Sequence, residues 1–458
     1  MRGSKTLSAR DGKARYAKYK PTGIPWLPEV PEAWEVRKLG DVSISLHTGL
    51  NPRKFFELNS EGATNYYVTI REMCGGKIVF TKSTARINDE ALRLCNNRSC
   101  LTAGDILFSG TGTIGETALL NETPTNWNIK EGIYAIKPKQ NMILPRMLWY
   151  AVSSHGFLSI ARAKAVGTGV KSVPMKELLS IQFICPPLPT QRAIVAFLDE
   201  KCGKVDRLVA AKEKEVALLK ELRERVIADA VTKGVGDFNA ETQRRRERRG
   251  KTKPSGIPWL PEVPEGWEVR RARYLFKKEQ RPVRPNDEIV TAFRDGQVTL
   301  RKNRRTTGFT EATDYSHYQG VRKGDLVIHQ MDAFAGCAGV SDSDGMGTPV
   351  LSVCTPFSSD VDVSYYAHVV RLMGRNGYIQ SLARGIRERS ADFRFETFAR
   401  QCLPFPPLPE QREIVAYIEA KTAKIGVAVA GLEREIAALK EFKQRLVADV
   451  VTGQRRVA

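Results

Sequence analysis

The chain carries part of its own sequence twice, and any fold must satisfy that duplication. PTGIPWLPEVPEAWEVRK, from Pro21 to Lys38, returns as PSGIPWLPEVPEGWEVRR, from Pro254 to Arg271, changed only at Thr22/Ser255, Ala33/Gly266 and Lys38/Arg271. A second pair, PPLPTQRAIVAFLDEK from Pro186 and PPLPEQREIVAYIEAK from Pro406, runs in each copy into a long amphipathic pattern. The two blocks enclosed by these segments do not resemble each other. The order is entry segment, variable block, helix, twice over. One frame that presents two dissimilar surfaces suits the reading of a target in two parts.

Each block mixes short β-type runs with helical stretches. NYYVTI, GKIVF, GDILFS and GIYAIK punctuate the first, and EIVTAF, GDLVIHQM and TPVLSVC the second, broken by Gly, Asn and Asp. Helical patterns close the blocks around Leu144 to Lys164 and Ser364 to Ala383, so each block reads as a mixed α+β domain. The long helices are the clearest prediction. Leu198, Cys202, Val205, Val209, Val216 and Leu219 form an apolar stripe that continues, after a register shift, through Leu222, Val226 and Ala230. Its counterpart runs Ile418, Thr422, Ile425, Val429, Leu432, Ile436, Leu439, Phe442, Leu446 and Val450, and Lys212 is the gap in the first stripe. Pro189 and Pro409 suit a first helical turn, where the missing N–H costs nothing. About forty residues make a rod on the order of 60 Å. Each stripe needs a cover, and the duplication supplies one: an intramolecular antiparallel coiled coil with pseudo-twofold symmetry, with homodimerisation as the competing arrangement.

The expected fold is thus α+β, with two mixed domains separated by two long helices packed as an antiparallel coiled coil. The predicted divisions are 1–187, entry segment and first block; 188–233, central helix; 234–253, basic linker; 254–405, second block; and 406–458, distal helix. The linker's arginine run, QRRRERRGK, reads equally as a phosphate-seeking strap or as a solvated connector.

Charge narrows the function. With 72 Lys and Arg against 51 Asp and Glu, a net +21, a polyanionic partner is the leading expectation. No apolar run reaches the roughly 18 residues of a membrane span, and the basic start lacks an apolar signal core, so a cytoplasmic location is expected. The eight cysteines form no C-x-x-C and lie away from the histidines, which argues for packed thiols rather than a metal site. Gly110-Thr-Gly112-Thr-Ile-Gly115 has dinucleotide-fingerprint spacing, but β-type runs follow it instead of a helix. It is expected to be a glycine-rich turn between strands. Phosphate-loop, zinc-protease and amino-methyltransferase signatures are absent, so the chain is expected to be non-catalytic by itself.

What remains is recognition. Basic residues stand beside glycines and hydroxyls in each block, a mixture that contacts phosphates and base edges. The candidate DNA contacts are Thr48, Asn51, Arg53, Lys54, Thr111, Thr113, Lys171 and Ser172 in the first block. In the second they are Arg301, Arg304, Arg305, His329, Gln330, Asp332, Arg387 and Arg389.

The doubled frame, with GIPWLPEVPEAWEV and GIPWLPEVPEGWEV ahead of the blocks, GDILFSGTGTIG and GDLVIHQMDAFAG inside them and the two PPLP segments after them, resembles the specificity subunits of type I restriction–modification systems over essentially the full length. That resemblance implies that Leu39–Cys185 and Ala272–Phe405 are target-recognition domains, each for half of a bipartite duplex DNA sequence. It implies helices that pack together and dock modification subunits, two copies being expected, and Gln191, Arg192, Gln411 and Arg412 at the helix heads are the candidate docking residues. S-adenosylmethionine, ATP and Mg would be bound by those partners and by a restriction subunit, none by this chain. The alternatives are the specificity subunit of a methylation-only complex, a generic nucleic-acid scaffold, or a hidden nuclease or methyltransferase. The arginine-rich linker and Lys212 depart from the family's pattern.

Overall fold

A computed structural model describes residues 15–24, 26–235, 251–304, 315–382 and 393–457, with the side chains of Arg53 and Lys54 left out. Most of the basic linker, 236–250, lies outside the described residues. The chain divides into two compact units, Met1–Glu213 with Arg434–Ala458, and Lys214–Glu433.

The first unit opens with a hairpin, β1 (Tyr19–Ile24) and β2 (Leu27–Pro31), followed by an entry strand β3 (Glu35–Lys38) and by β4 (Ser43–Thr48), β5 (Asn65–Val68), β6 (Ile106–Ser109), β7 (Thr117–Leu119), β8 (Trp127–Ile129) and β9 (Ile133–Pro138). Helices α1 (Pro145–Val152) and α2 (His155–Ala163) lead to an exit strand β10 (Gln182–Cys185) and to the long helix α3 (Leu188–Lys233). The second unit repeats the order: hairpin β11 (Thr252–Ile257) and β12 (Leu260–Pro264), entry strand β13 (Glu268–Arg271), then β14 (Phe276–Lys278), β15 (Val290–Ala292), β16 (Val298–Leu300), β17 (Leu326–His329), β18 (Ala338–Val340) and β19 (Leu351–Pro356). Helix α4 (Val363–Arg375), exit strand β20 (Cys402–Phe405) and the long helix α5 (Leu408–Val451) complete it.

The repeated sequence is repeated structure. In both hairpins a hydroxyl, Thr22 or Ser255, donates to the carbonyl of Leu27 or Leu260 and accepts from the N–H of Ile24 at 2.9 Å or Ile257 at 2.8 Å. That is why Thr and Ser exchange freely there. Trp34 and Trp267 are buried beneath their hairpins. Each entry strand then pairs antiparallel with its own exit strand, β3 with β10 and β13 with β20, so every block leaves and returns on one two-stranded ladder. The invariant segments flank that ladder, which closes the block whatever lies between.

The blocks share more than their sequences suggest. Each is built on a four-stranded antiparallel sheet of the same topology, in the order β7-β6-β9-β4 in the first unit and β18-β17-β19-β14 in the second. Apolar residues of these strands, Ile106, Phe108 and Ile136 or Leu326, Ile328 and Cys354, pack into the unit's main core. The first block adds a parallel pair, β5 with β8, where the second adds the hairpin β15–β16.

Within each unit the long helices run antiparallel. In the first, Lys443 of α5 pairs with Asp206 of α3 at 2.6 Å and Lys440 with Glu213 at 2.8 Å; in the second, Lys220 pairs with Glu433 at 2.9 Å. The gap at Lys212 is filled by an ion pair with Glu435. Leu198, Cys202, Val205, Val209, Val216 and Ala230 are buried as the stripe predicts. Two members of the predicted stripes are exposed. Leu222 and Phe442, which hold the same place in the two repeats, point outward at 46% and 51% exposure, while Ile227 and Val447 turn inward instead. The register shift moves the seam off them, because 3.6 residues per turn cannot follow a spacing of seven for long.

Gln191 and Gln411, expected to face partner subunits, are corrected by their burial: both are fully enclosed. Gln191 Nε2 donates to the carbonyls of Met142 at 2.9 Å and Pro186 at 2.8 Å, and its Oε1 accepts from Leu144 N at 2.8 Å. Gln411 makes the same three bonds, to Asp360 O at 3.0 Å, Pro406 O at 2.8 Å and from Asp362 N at 2.8 Å. Their neighbours Arg192 and Arg412 are exposed. Replacing Gln191 by Leu leaves three buried backbone groups unpaired, so urea denaturation of the full chain should show a loss of roughly 3 kcal/mol. Arg192→Leu should change the same measurement by less than about 0.5 kcal/mol.

Candidate nucleic-acid interface

Three of the eight candidate contacts of the first block, Thr48, Thr111 and Ser172, line one cleft. It has a volume of about 640 Å³ and is lined by Thr48 at the end of β4, Thr69, Ile70 and Arg71 after β5, Thr111 and Gly112 in the glycine-rich turn, Lys130, Glu131 and Gly132 after β8, Ile133 and Tyr134 on β9, and Val170, Ser172 and Met175 beyond α2. Strand ends build it: the last residue of β4, the first residues of β9, and the connections that follow β5, β6 and β8. The glycine-rich turn joins antiparallel strands β6 and β7, not a strand to a helix.

Short bonds fix the walls. Thr111 Oγ1 and Ser172 Oγ lie 2.9 Å apart, Gly112 N donates to Lys171 O at 2.8 Å, and Gly132 N donates to Thr48 Oγ1 at 3.3 Å. Gly110 backs onto the Tyr134 ring so closely that a side chain there would overlap it, and Tyr134 OH donates to Val173 O at 2.7 Å. Thr113 and Lys171 are exposed beside the cleft. Asn51 follows Leu50, which bridges to Lys130, and Arg53 and Lys54 belong to the short helix Pro52–Phe55. The cleft's basic lining, Arg71 and Lys130, is exposed and was missed in the sequence, as were Thr69, Glu131 and the outward-pointing Val170. Lys130 directly follows β8 and Arg71 stands three residues beyond β5, in NIKEG and TIREM, and nearness to a strand end was the available signal. The arrangement offers hydroxyls, one acid, two bases and an apolar knob to a polar edge, the set that distinguishes bases in a groove.

In the second block the candidates gather around the turn between β15 and β16. Arg304 pairs with Asp295 at 2.7 Å and lies over the Phe293 ring at 4.4 Å; the next residue back, Arg294, pairs with Asp332 at 3.2 Å. Arg301 sits in the turn after β16, its Nε 3.5 Å from Thr291 Oγ1. His329 ends β17, and its Nδ1 accepts from Asp332 N at 3.1 Å; burial lowers its pKa, which keeps the ring neutral near pH 7. Gln330 Nε2 donates to Pro349 O at 3.3 Å. Arg305, Arg387 and Arg389 lie outside the described residues. The β17–β18 connection that carries His329, Gln330 and Asp332 is the counterpart of the β6–β7 connection that carries Thr111 and Thr113. Surface ion pairs such as Arg304–Asp295 are worth about 0–1 kcal/mol, so these arginines can exchange a carboxylate for another anion at little cost.

Among the described residues no group of three or more His, Cys, Asp or Glu is set to hold a metal ion, and no helix is long and apolar enough to cross a membrane.

Residues 31–217, from the end of the first hairpin into α3, match the family described as the type I restriction modification DNA specificity domain. That stretch resembles the DNA specificity domain of type I restriction–modification systems. Among similar proteins, a putative type I restriction enzyme MjaX specificity subunit of Methanocaldococcus jannaschii is 25% identical over 249 residues, 53% of this chain and 52% of that protein. The match thus spans about half of that relative's length. The type I restriction enzyme EcoBI specificity subunit of Escherichia coli is 23% identical over 364 residues, 76% of this chain and 71% of that one. A solved structure described as the basis of complex assembly and conformational transition of the type I R-M system aligns at a TM-score of 0.62 and 17% identity, covering 93% of this chain and 99% of its own, a likeness of fold.

Gly132 stands at φ +90°, and an added Cβ would come within 2.9 Å of Thr111. Gly132→Ala should therefore cost about 1–3 kcal/mol in thermal denaturation. It should also speed amide exchange at Gly112, whose N–H bond to Lys171 seals the same wall.

Proposed function

We propose that this chain is a type I specificity subunit that reads a split, asymmetric sequence in duplex DNA and carries the reading to modification subunits that perform the chemistry. The observation that supports it most is the pairing of one constant frame with two unlike loop sets: the same hairpin, ladder, glutamine and four-stranded sheet recur, and the polar connections at one sheet edge differ. In the first block, the cleft around Thr48, Thr111, Lys130 and Ser172 meets one half-site. In the second, the loops of Arg301, Arg304 and His329 to Asp332 meet the other. The excess of positive charge gives sequence-blind, salt-dependent affinity. Arginine forks favour guanine O6 and N7, and Asn51 or Gln330 favours adenine.

The partners in this proposal are two methyltransferase subunits, with a restriction subunit in complexes that also cleave. S-adenosylmethionine, ATP and Mg belong to those partners. The long helices serve as spacer and docking surface, their length setting the unread gap between half-sites. Outward apolar residues on each helix pair suit a helical partner. Leu208 and Phe442 lie at one level of the antiparallel pair in the first unit, at 46% and 51% exposure, and Leu222 and Val427 repeat the arrangement in the second.

Mapping methylated bases in host genomes with and without this gene tests the reading: one split motif should disappear. Deleting one heptad from both helices should then shorten the gap and leave both half-sites unchanged; altered bases at a constant gap would contradict the spacer role. Leu208→Glu with Phe442→Glu should lower the number of bound modification subunits from two to one by light scattering. Retention of two would remove this patch from the docking surface.

A further inference from the structure

We propose that the second unit holds a phosphate-binding site formed by Arg371 and His368 of α4 and Arg223 of α3. Arg371 is 8% exposed, yet Nε and Nη2 of its guanidinium are sealed from solvent and meet no hydrogen-bond partner among the described residues; Nδ1 of His368, one turn earlier on the same helix, is in the same state. Buried donors with no acceptor are rare in folded proteins, and an unpaired buried cation is among the costliest groups a core can hold. An oxyanion is the missing piece.

The duplication shows which acid has gone. In the first unit Lys443 of α5 finds Asp206 of α3 at 2.6 Å, and Tyr150 OH donates to Asp199 at 2.6 Å. By the repeat, Arg223 stands in the place of Lys443 and Gly426 in the place of Asp206, so the carboxylate is missing from the second unit. Counting from the backbone N–H that each buried glutamine accepts, at Leu144 and Asp362, His368 takes the place of Tyr150. Asp199, the acid that Tyr150 meets, corresponds to the exposed Glu419, so the repeat removes the partner acid of Arg223 alone.

Neighbouring acids are already engaged. Glu224 pairs with Arg375 at the exposed rim, and Asp295 pairs with Arg304. The Arg371 guanidinium lies against Gly296, where a side chain would collide with it, and burial, with repulsion from Arg371 and Arg223, holds the His368 pKa down, to about 4. Phosphate fits better than a carboxylate because the cluster is continuous with the candidate DNA loops: Gly296 follows the Arg294–Asp295 turn, and Gly336, at the end of the β17–β18 connection, backs onto Arg375. Arginine's planar fork matches two phosphate oxygens. The phosphate comes either free from solution or from the DNA backbone, and only the second source rests on the DNA-reading proposal.

The test uses the full-length chain. Thermal midpoints are compared in inorganic phosphate and in chloride at equal ionic strength, for the native protein, Arg371→Met, Arg371→Lys and the exposed control Arg225→Met. The native protein and the control should gain several degrees from phosphate, and Arg371→Met should gain none. An equal gain in Arg371→Met, or no gain in the native protein, overturns the proposal. If Arg371→Met fails to fold, Arg371→Lys decides: it should raise the half-saturating phosphate concentration about tenfold, and an unchanged value overturns the site. Binding of a random duplex across salt concentrations identifies the source. A log–log slope about 0.9 shallower in Arg371→Met assigns a backbone phosphate. An unchanged slope with loss of the phosphate response assigns free phosphate. Failure of the native chain to bind duplex would count against DNA reading and leave the phosphate response standing.

Discussion

One buried glutamine per repeat ties each variable block to its long helix. Gln191 and Gln411 each stand in the first turn of a helix, and each uses its amide on two carbonyls and one N–H of the chain that precedes it. A side-chain amide is suited to this because it donates and accepts in one plane. The bonds are fully enclosed, so water offers no substitute. They fix the direction in which the block leaves its helix, and the entry–exit ladder beside them fixes where it returns. Everything between the ladder strands is free to differ without disturbing either.

That freedom is used at one edge of the sheet. The four-stranded order is the same in both units, yet the first unit ends its strands in hydroxyls and glycines around a cleft, and the second ends them in arginines held by aspartates. The two edges therefore ask for different ligand chemistry. The first cleft sets the exposed Arg71 and Lys130 and one acid, Glu131, among its hydroxyls, a mixed edge suited to telling polar groups apart. An edge of loosely paired arginines attracts phosphate strongly and discriminates when a fork meets a guanine.

The frame was legible in the sequence and the loops were only partly so. The hairpins, the entry segments, the long antiparallel helices and the glycine-rich turn follow from repetition, periodicity and the missing helix after Gly115, all local signals. Thr48, Thr111 and Ser172 were found because hydroxyls beside glycines mark strand ends, and the cleft brings them together. Arg71 and Lys130 escaped because nothing local says that two separated strands, β5 and β8, are parallel neighbours whose ends share an edge. Gln191 and Gln411 read as docking residues because the resemblance puts partner contacts on the helices; only the loop carbonyls packed over them explain their burial. Leu222 and Phe442 were placed inside because a seven-residue spacing was extended past the point where the helix drifts off it.

The closure of each unit sets an order on folding. Tyr19 OH donates to Gly453 O at 2.8 Å and Gln454 Nε2 to Glu29 O at 2.9 Å, while Leu446, Val447, Val450 and Val451 complete the core around Trp34. In the second unit Ile227, Ala230 and Val231 complete the core around Trp267, and Tyr365 OH donates to Val231 O at 3.0 Å. Each hairpin is thus covered by the end of the other repeat's helix, and neither repeat can finish its own core. The second unit draws on neighbouring stretches of chain. The first must wait until residues beyond 446 exist, holding its hairpin and Trp34 uncovered meanwhile. Contacts of such sequence separation form late and expose apolar surface in the interval. The duplication that gives the molecule two variable blocks therefore also makes them interdependent: the frame is shared, and it closes only when both copies are present.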